Sequence, residues 1–202
     1  MPITPSKKFW GKHFWFIIHY FSLKLSRDEF LVFLKHLTNL LPCAECREHL
    51  KGNIIALERL RTMDAFEMSY ELHTMVNNQL GVKSNPDFKT VKAYYMKNGP
   101  TLVDREIIFV MRVIGLKYDY HFEELKNLVD LASKFSSPSL KKVLKNYPLV
   151  PEYETPEDLF FWSIRVGSAY DVYKGEVPPS DASIKTFFQE GLSDDCDQCN
   201  LD

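Results

Sequence analysis

Apolar residues recur at intervals of three and four almost from end to end of this chain, the spacing of helices that bury one face. The first such run covers about Lys8 to Leu23. A second opens at the capping box Ser26-x-x-Glu29 and carries Phe30, Phe33, Leu34, Leu37 and Leu41 on a 3.6-residue period. Pro42 ends it and opens a third, Cys43 to Leu50, which Gly52 is expected to stop. A fourth runs from near Asp64 to Gly81, a residue suited to a left-handed terminator. Asn85-Pro86 makes a turn, and a short fifth helix from Phe88 to Asn98 is expected to stop at Gly99-Pro100. Beyond it the pattern predicts helices at Asp104 to Leu116, Phe122 to Phe135 and Ser139 to Asn146. Thr155-Pro156-Glu157 opens another that ends at Gly175, and Pro178-Pro179-Ser180 precedes a last one at Ala182 to Glu190. No run alternates as a strand does. The predicted class is all-α, with helical units at residues 1–99 and 100–190 and an acidic tail at 191–202.

Composition narrows the function classes. With 25 basic and 27 acidic residues the chain has a net charge of −2, no electrostatic footprint for nucleic acid. Phe9, Trp10, Phe14, Trp15, Phe16, Tyr20 and Phe21 crowd one early segment, as a bulky core or as a pocket for a planar ring. Lys7, Lys8 and Lys12 ahead of Phe14 to Ile18 imitate a secretion signal. However, His13 and His19 interrupt the run, no small-residue cleavage site follows, and the run is too short to span a bilayer. The segment reads as an amphipathic helix of a protein without signal peptide or membrane span, and without secretion a dithiol points to redox chemistry more than to a structural disulfide.

All 4 cysteines fall in two Cys-x-x-Cys pairs, Cys43/Cys46 and Cys196/Cys199. Residues three apart on a helix have Cβ atoms about 5–6 Å apart, within a modest adjustment of disulfide geometry. Pro42 places Cys43 at a helix N-terminus, where unpaired N–H groups and the helix dipole favour a thiolate, and Arg47 adds nearby charge. A helix-start disulfide or half a zinc site explains a lone pair of this kind as well. The surroundings favour redox chemistry. Gly11, Trp15 and His19 repeat every four residues on one helix, His73 and Asn77 share that spacing beside Val76 and Leu80 on another, and His49 lies one turn beyond Cys46. Imidazoles, an indole, an amide and a dithiol on three helices suit a flat, polar-edged aromatic cofactor next to a disulfide.

Gly-x-x-x-Trp-x-x-x-His, then Pro-Cys-x-x-Cys-x-x-His, then His-x-x-Val-Asn-x-x-Leu, in that order over residues 8 to 98, resembles the Erv/ALR sulfhydryl oxidases, small FAD enzymes that make disulfides with molecular oxygen. The pairing with an extra helical segment looks most like the giant-virus (mimivirus-type) members. The resemblance implies a four-helix bundle with a short fifth helix and FAD at its mouth. Gly11, Lys12, Trp15, His19, His49, His73, Val76, Asn77, Leu80, Lys83 and Tyr95 would form the cofactor site. It implies Cys46 as the flavin-side sulfur and Cys43 as the one that exchanges with substrate. It also implies a homodimer acting on reduced protein dithiols, with O2 as acceptor and H2O2 as product, in the virion or host cytoplasm if viral. No metal is expected. Thr74 in place of an asparagine, and Leu41 in place of an aromatic, depart from the family pattern.

Cys196 and Cys199 lie where relatives carry a shuttle dithiol, among Asp194, Asp195 and Asp197, whose charge raises thiol pKa values. A structural disulfide, or zinc shared with the inner pair, are the other readings of the tail. A thioredoxin-like fold needs a strand before Cys-x-x-Cys, and here a helix precedes it. The reading from another class is a zinc-stabilised helical interaction module without catalysis. The absence of Gly-x-Gly-x-x-Gly among 8 glycines fits a helical flavin site and not a Rossmann one.

Overall fold

The computed structural model describes residues 7–82, 84–116, 121–153 and 155–191. Among these the chain is all-α, with helices α1 Lys7–Ser22, α2 Arg27–Leu40, α3 Ala44–Arg59, α4 Ala65–Gln79, α5 Phe88–Gly115, α6 Phe122–Phe135, α7 Pro138–Asn146, α8 Pro156–Tyr173 and α9 Asp181–Glu190. Their starts follow the sequence signals. Ser26 with Glu29, Asp64 with Glu67 and Thr155 with Asp158 all close reciprocal capping boxes. Gly81 (φ 73°) and Gly175 (φ 76°) adopt the left-handed conformation just beyond α4 and α8.

Two expected stops fail, for the same reason. Helix α3 runs through Gly52 to Arg59 because its second half buries Asn53, Ile54 and Leu57. A helical glycine costs about 1 kcal/mol, less than burying two large aliphatic side chains returns. The helix expected to end at Asn98 continues as α5 through Pro100 to Gly115, so the division expected near residue 100 falls inside a helix. An internal proline costs about 3 kcal/mol. Against that, α5 buries Val103, Ile107, Ile108, Val110, Met111, Val113 and Ile114. Pro100 sits on the exposed face, as does Met96 four residues earlier, whose carbonyl the proline leaves open to solvent.

Helices α1 to α4 pack in a bundle: α1 on α4 and α2, α2 on α3, α3 on α4. The other side of α1 lies along α5, which in turn packs on α8, while α6 joins α2 to α7. One apolar core runs from Trp10 to Phe188, and it absorbs Phe14, Phe16, Tyr20 and Phe21 of the early aromatic segment. Its polar joint is Asp104, 3 % exposed, which accepts from the Ser137 N–H at 3.0 Å and from the hydroxyls of Ser137 and Tyr170, tying α5 to α7 and α8. The apolar helix α8 buries Phe160, Trp162, Ile164 and Val166 against this core and leaves Phe161 exposed. Among the described residues no helix is long and apolar enough to cross a membrane.

Two helical glycines, Gly115 and Gly52, respond oppositely to an added methyl group. A Cβ on Gly115 would lie 2.7 Å from the Phe160 backbone, so Gly115→Ala forces α5 and α8 apart. It should cost about 2 kcal/mol of stability. A Cβ on Gly52 meets nothing within 4 Å, and Gly52→Ala should gain about 0.5–1 kcal/mol. Urea or thermal denaturation of both variants checks the contrast.

Candidate functional site

Helical spacing puts Gly11, Trp15 and His19 on one face of α1, and Ser69, His73 and Asn77 on one face of α4. Because α1 packs on α4, the two faces meet. The Trp15 indole lies flat on the His73 imidazole, with ring centroids 4.0 Å apart and planes 4° from parallel. That is van der Waals contact, so a planar ligand can extend this stack and cannot enter it. His19, 1 % exposed, has both ring nitrogens engaged. Its Nε2 is 2.9 Å from His73 Nδ1 and its Nδ1 is 3.0 Å from Ser69 Oγ. Tyr95 of α5 covers it, ring centroids 4.8 Å apart.

Burial, and then the neighbouring His73, hold His19 down to about 3; burial alone holds His73 down to about 4. Both imidazoles are therefore neutral at physiological pH. Burial pushes the Tyr95 hydroxyl up to about 12, so it too is uncharged.

Next to this stack is a cavity of about 300 Å³ whose walls include His19, His73, Asn77, Asn85, Tyr94 and Tyr95. That volume is at the low end of the range for ligand pockets, about 300–1,000 Å³, enough for one ring system and not for a whole dinucleotide. The connection from α4 to α5 closes one side. Asn77 Nδ2 donates to Asn85 Oδ1 at 2.6 Å, and the Tyr70 hydroxyl to Pro86 O at 2.8 Å.

The dithiol belongs to α3. Cys43 is its N-cap, and the Cys46 N–H donates to Cys43 Sγ at 3.2 Å, an interaction that strengthens when the sulfur is a thiolate. Arg47, expected to place charge beside the sulfurs, directs Nη1 to Leu41 O at 2.9 Å. Cys43 is 5 % exposed, and Cys46 is the more accessible of the two.

Of the expected cofactor residues, His19, His73, Asn77 and Tyr95 line the cavity and Trp15 stacks beside it. Lys12 and His49 are exposed, and neither they nor Val76 and Leu80 belong to the cavity wall. Gly11 has open space where a Cβ would stand. Lys83, Cys196 and Cys199 lie outside the described residues.

Sequence reasoning passed over Ser22, Ser69, Asn53 and Asn85. The first two stand three and four residues from His19 and His73, the positions that share a helix face with them. Asn53 is 7 % exposed on the α3 face that carries Cys46 two turns earlier. Its Oδ1 accepts from Gln79 at 3.3 Å, while its Nδ2 has no partner among the described residues. Among the described residues no cluster of three or more His, Cys, Asp or Glu is arranged to hold a metal ion.

The charge state of the histidine pair gives a pH signature. Both folded-state values lie below the ordinary 6.5. The unfolded chain therefore takes up protons that the folded chain excludes, and stability present above pH 6.5 is lost as pH falls toward 4. Thermal melts should show this decline already between pH 6.5 and about 5, ahead of most carboxylates. In the double variant His19→Gln with His73→Gln the decline over that interval should largely vanish.

Compared with known proteins, the chain matches no family model, no curated protein and no solved structure.

Proposed function

We propose that the protein is an FAD-dependent thiol oxidase that converts pairs of thiols, on small dithiols or reduced proteins, to disulfides. The observation that carries this reading is the flat Trp15–His73 stack, backed by a buried neutral His19 and opening on a cavity in the same bundle as a helix-capping dithiol. Such a wall has π-faces, hydrogen-bonding edges and no charge, which suits an aromatic ring system with polar edges. The unpartnered Asn53 Nδ2 and the open space at Gly11 fit a further group with acceptor atoms along the same bundle end. His19, His73, Asn77, Tyr95 and Trp15 are the residues proposed to hold the cofactor. When bound, the flavin supplies the acceptance of two electrons and their transfer to O2, giving H2O2.

The chain's own part is thiol–disulfide exchange. A substrate thiolate attacks one sulfur of the Cys43–Cys46 disulfide, forming a mixed disulfide and releasing the other sulfur as a thiolate. The second substrate thiol displaces the first bond, so the substrate leaves oxidised and Cys43 and Cys46 hold the two electrons. Cys43 at the N-cap, with the Cys46 N–H directed at its sulfur, is arranged to stabilise a thiolate. The resemblance to the Erv/ALR oxidases gives Cys43 the exchange role and Cys46 the flavin-side role, and suggests a homodimer. Cys196 and Cys199 are proposed to relay electrons from bulky substrates to the inner pair.

Purified protein should be yellow with flavin absorbance, and should consume O2 with a small dithiol, releasing H2O2. Cys46→Ser should abolish turnover while retaining FAD. Oxygen consumption close to that of the wild type in this variant would remove Cys46 from the reaction, and a colourless protein that binds no added FAD would end the flavin reading.

The tail role has its own test. Cys196→Ser with Cys199→Ser should slow oxidation of a reduced protein several-fold and leave dithiothreitol oxidation unchanged. Equal rates on both substrates would leave the outer pair as a structural disulfide. Mass spectrometry of a trapped mixed disulfide in the Cys46→Ser background checks the route directly.

A further inference from the structure

We infer that Ser69, a positioning residue, fixes the proton on Nδ1 of both His19 and His73, so that His73 offers the cavity a bare Nε2 lone pair and selects ligand groups that donate a hydrogen bond. This rests on the thiol-oxidase reading only for the identity of the ligand; the proton assignment stands on contacts within the protein.

The assignment follows from counting protons. Ser69 Oγ is 2.8 Å from Phe66 O, 3.0 Å from Ser22 Oγ and 3.0 Å from His19 Nδ1. A serine hydroxyl has one proton and two lone pairs. Phe66 O is a carbonyl and can only accept, so at 2.8 Å the Ser69 proton must point to it; otherwise two lone pairs would face each other across a hydrogen-bonding distance. Ser69 Oγ is then an acceptor toward its other neighbours, and His19 Nδ1 must carry a proton and donate to it. A neutral imidazole has only one N–H, so His19 Nε2 is an acceptor. It is 2.9 Å from His73 Nδ1, which must therefore be the donor. His73 is left with no proton on Nε2. Burial of the pair removes the alternative in which an imidazolium donates from both nitrogens.

Ser22 supports the chain from the other side. Its hydroxyl donates to His19 O at 2.7 Å and to Ser69 Oγ at 3.0 Å, one proton shared between two acceptors, so Ser69 Oγ is an acceptor on this side too and its own proton stays on Phe66 O. The order of command is backbone carbonyl, Ser69, His19, His73. The result is the Nδ1–H tautomer at both histidines, the less favoured form of free histidine, held there by the helix. A group with N–H or O–H at the cavity, such as an aromatic amine, an imide or a sugar hydroxyl, completes the chain; a carbonyl or phosphate oxygen meets a lone pair and is rejected.

The test is nitrogen-15 NMR of the full chain labelled at histidine, whose six residues are separated by substituting His13, His36, His49 and His121. Wild-type protein at neutral pH should show His19 and His73 both protonated at Nδ1. Ser69→Ala should release His19 to carry its proton on Nε2, reverse the His19–His73 hydrogen bond and move the His73 proton to Nε2. Ser69→Thr, which keeps the hydroxyl, should retain the wild-type tautomers. With FAD as the probe, Ser69→Ala should raise Kd about tenfold or more, and Ser69→Thr should not. An Nε2–H signal for His73 in the wild type overturns the inference whatever the variants do, and unchanged tautomers in Ser69→Ala overturn the role of Ser69. Wild-type protein with Nδ1–H at both histidines but no affinity for FAD would sink the flavin reading and leave the proton assignment standing.

Discussion

A histidine buried among aromatic rings must find partners for both nitrogens, and in this fold His19 finds them only on α4. That requirement sets the register of α1 against α4. A slide by one turn would leave the ring with an unsatisfied nitrogen in a nearly water-free site, a cost of about 1–3 kcal/mol before any loss of packing. With the register fixed, Trp15 falls on His73, Ser69 falls under His19, and the cavity opens where Tyr94 and Tyr95 of α5 complete the wall. The same burial that demands the hydrogen bonds keeps both rings uncharged. One contact thus determines the docking of two helices and the chemical character of the surface they create.

The opposite face of α1 carries a matching constraint. Tyr20 lies so close to α5 that a side chain on Gly99 would meet its ring at 2.3 Å, and the next residue is Pro100. Glycine followed by proline ordinarily ends a helix, and here it does not. The glycine admits the Tyr20 ring and the proline faces solvent, so the pair marks where α5 approaches α1 most closely and not where it stops. His13, hydrogen-bonded to Glu106 at 2.5 Å and stacked on Phe109 at 3.6 Å, fastens the two helices farther along. Helix α1 is held between the candidate site and the second half of the chain.

These two faces explain what the sequence made legible. Helix starts were readable because Ser26, Asp64 and Thr155 act through hydrogen bonds made within four residues of themselves. The positions sharing faces with Trp15, His19, His73 and Asn77 were readable because helical periodicity is local. The failed stops at Gly52 and Gly99-Pro100 depended on what the following turns would bury, and that information lies on other helices. Ser22 and Ser69 were invisible for a related reason. A serine next to a histidine on one helix is unremarkable until a second helix brings its own pair against it.

The dithiol poses a different physical problem from the histidine stack. A thiolate needs donors and a positive potential, whereas the stack needs exclusion of charge. The fold separates these demands by placing the dithiol at a helix start and the imidazoles away from one. Cys43 is at the N-cap of α3, where backbone N–H groups point outward, and takes one of them from Cys46. The imidazoles lie farther along their helices, His19 in the last turn of α1 and His73 in the middle of α4, shielded by Trp15 and Tyr95. Helix α3 packs against α4, so both environments lie in one bundle without sharing a side chain. An electron acceptor spanning them would meet a nucleophile at one end and a neutral, stacking wall at the other. Asn53, buried on α3 with an amide N–H that no described residue accepts, is a polar atom that such a bridging group would satisfy.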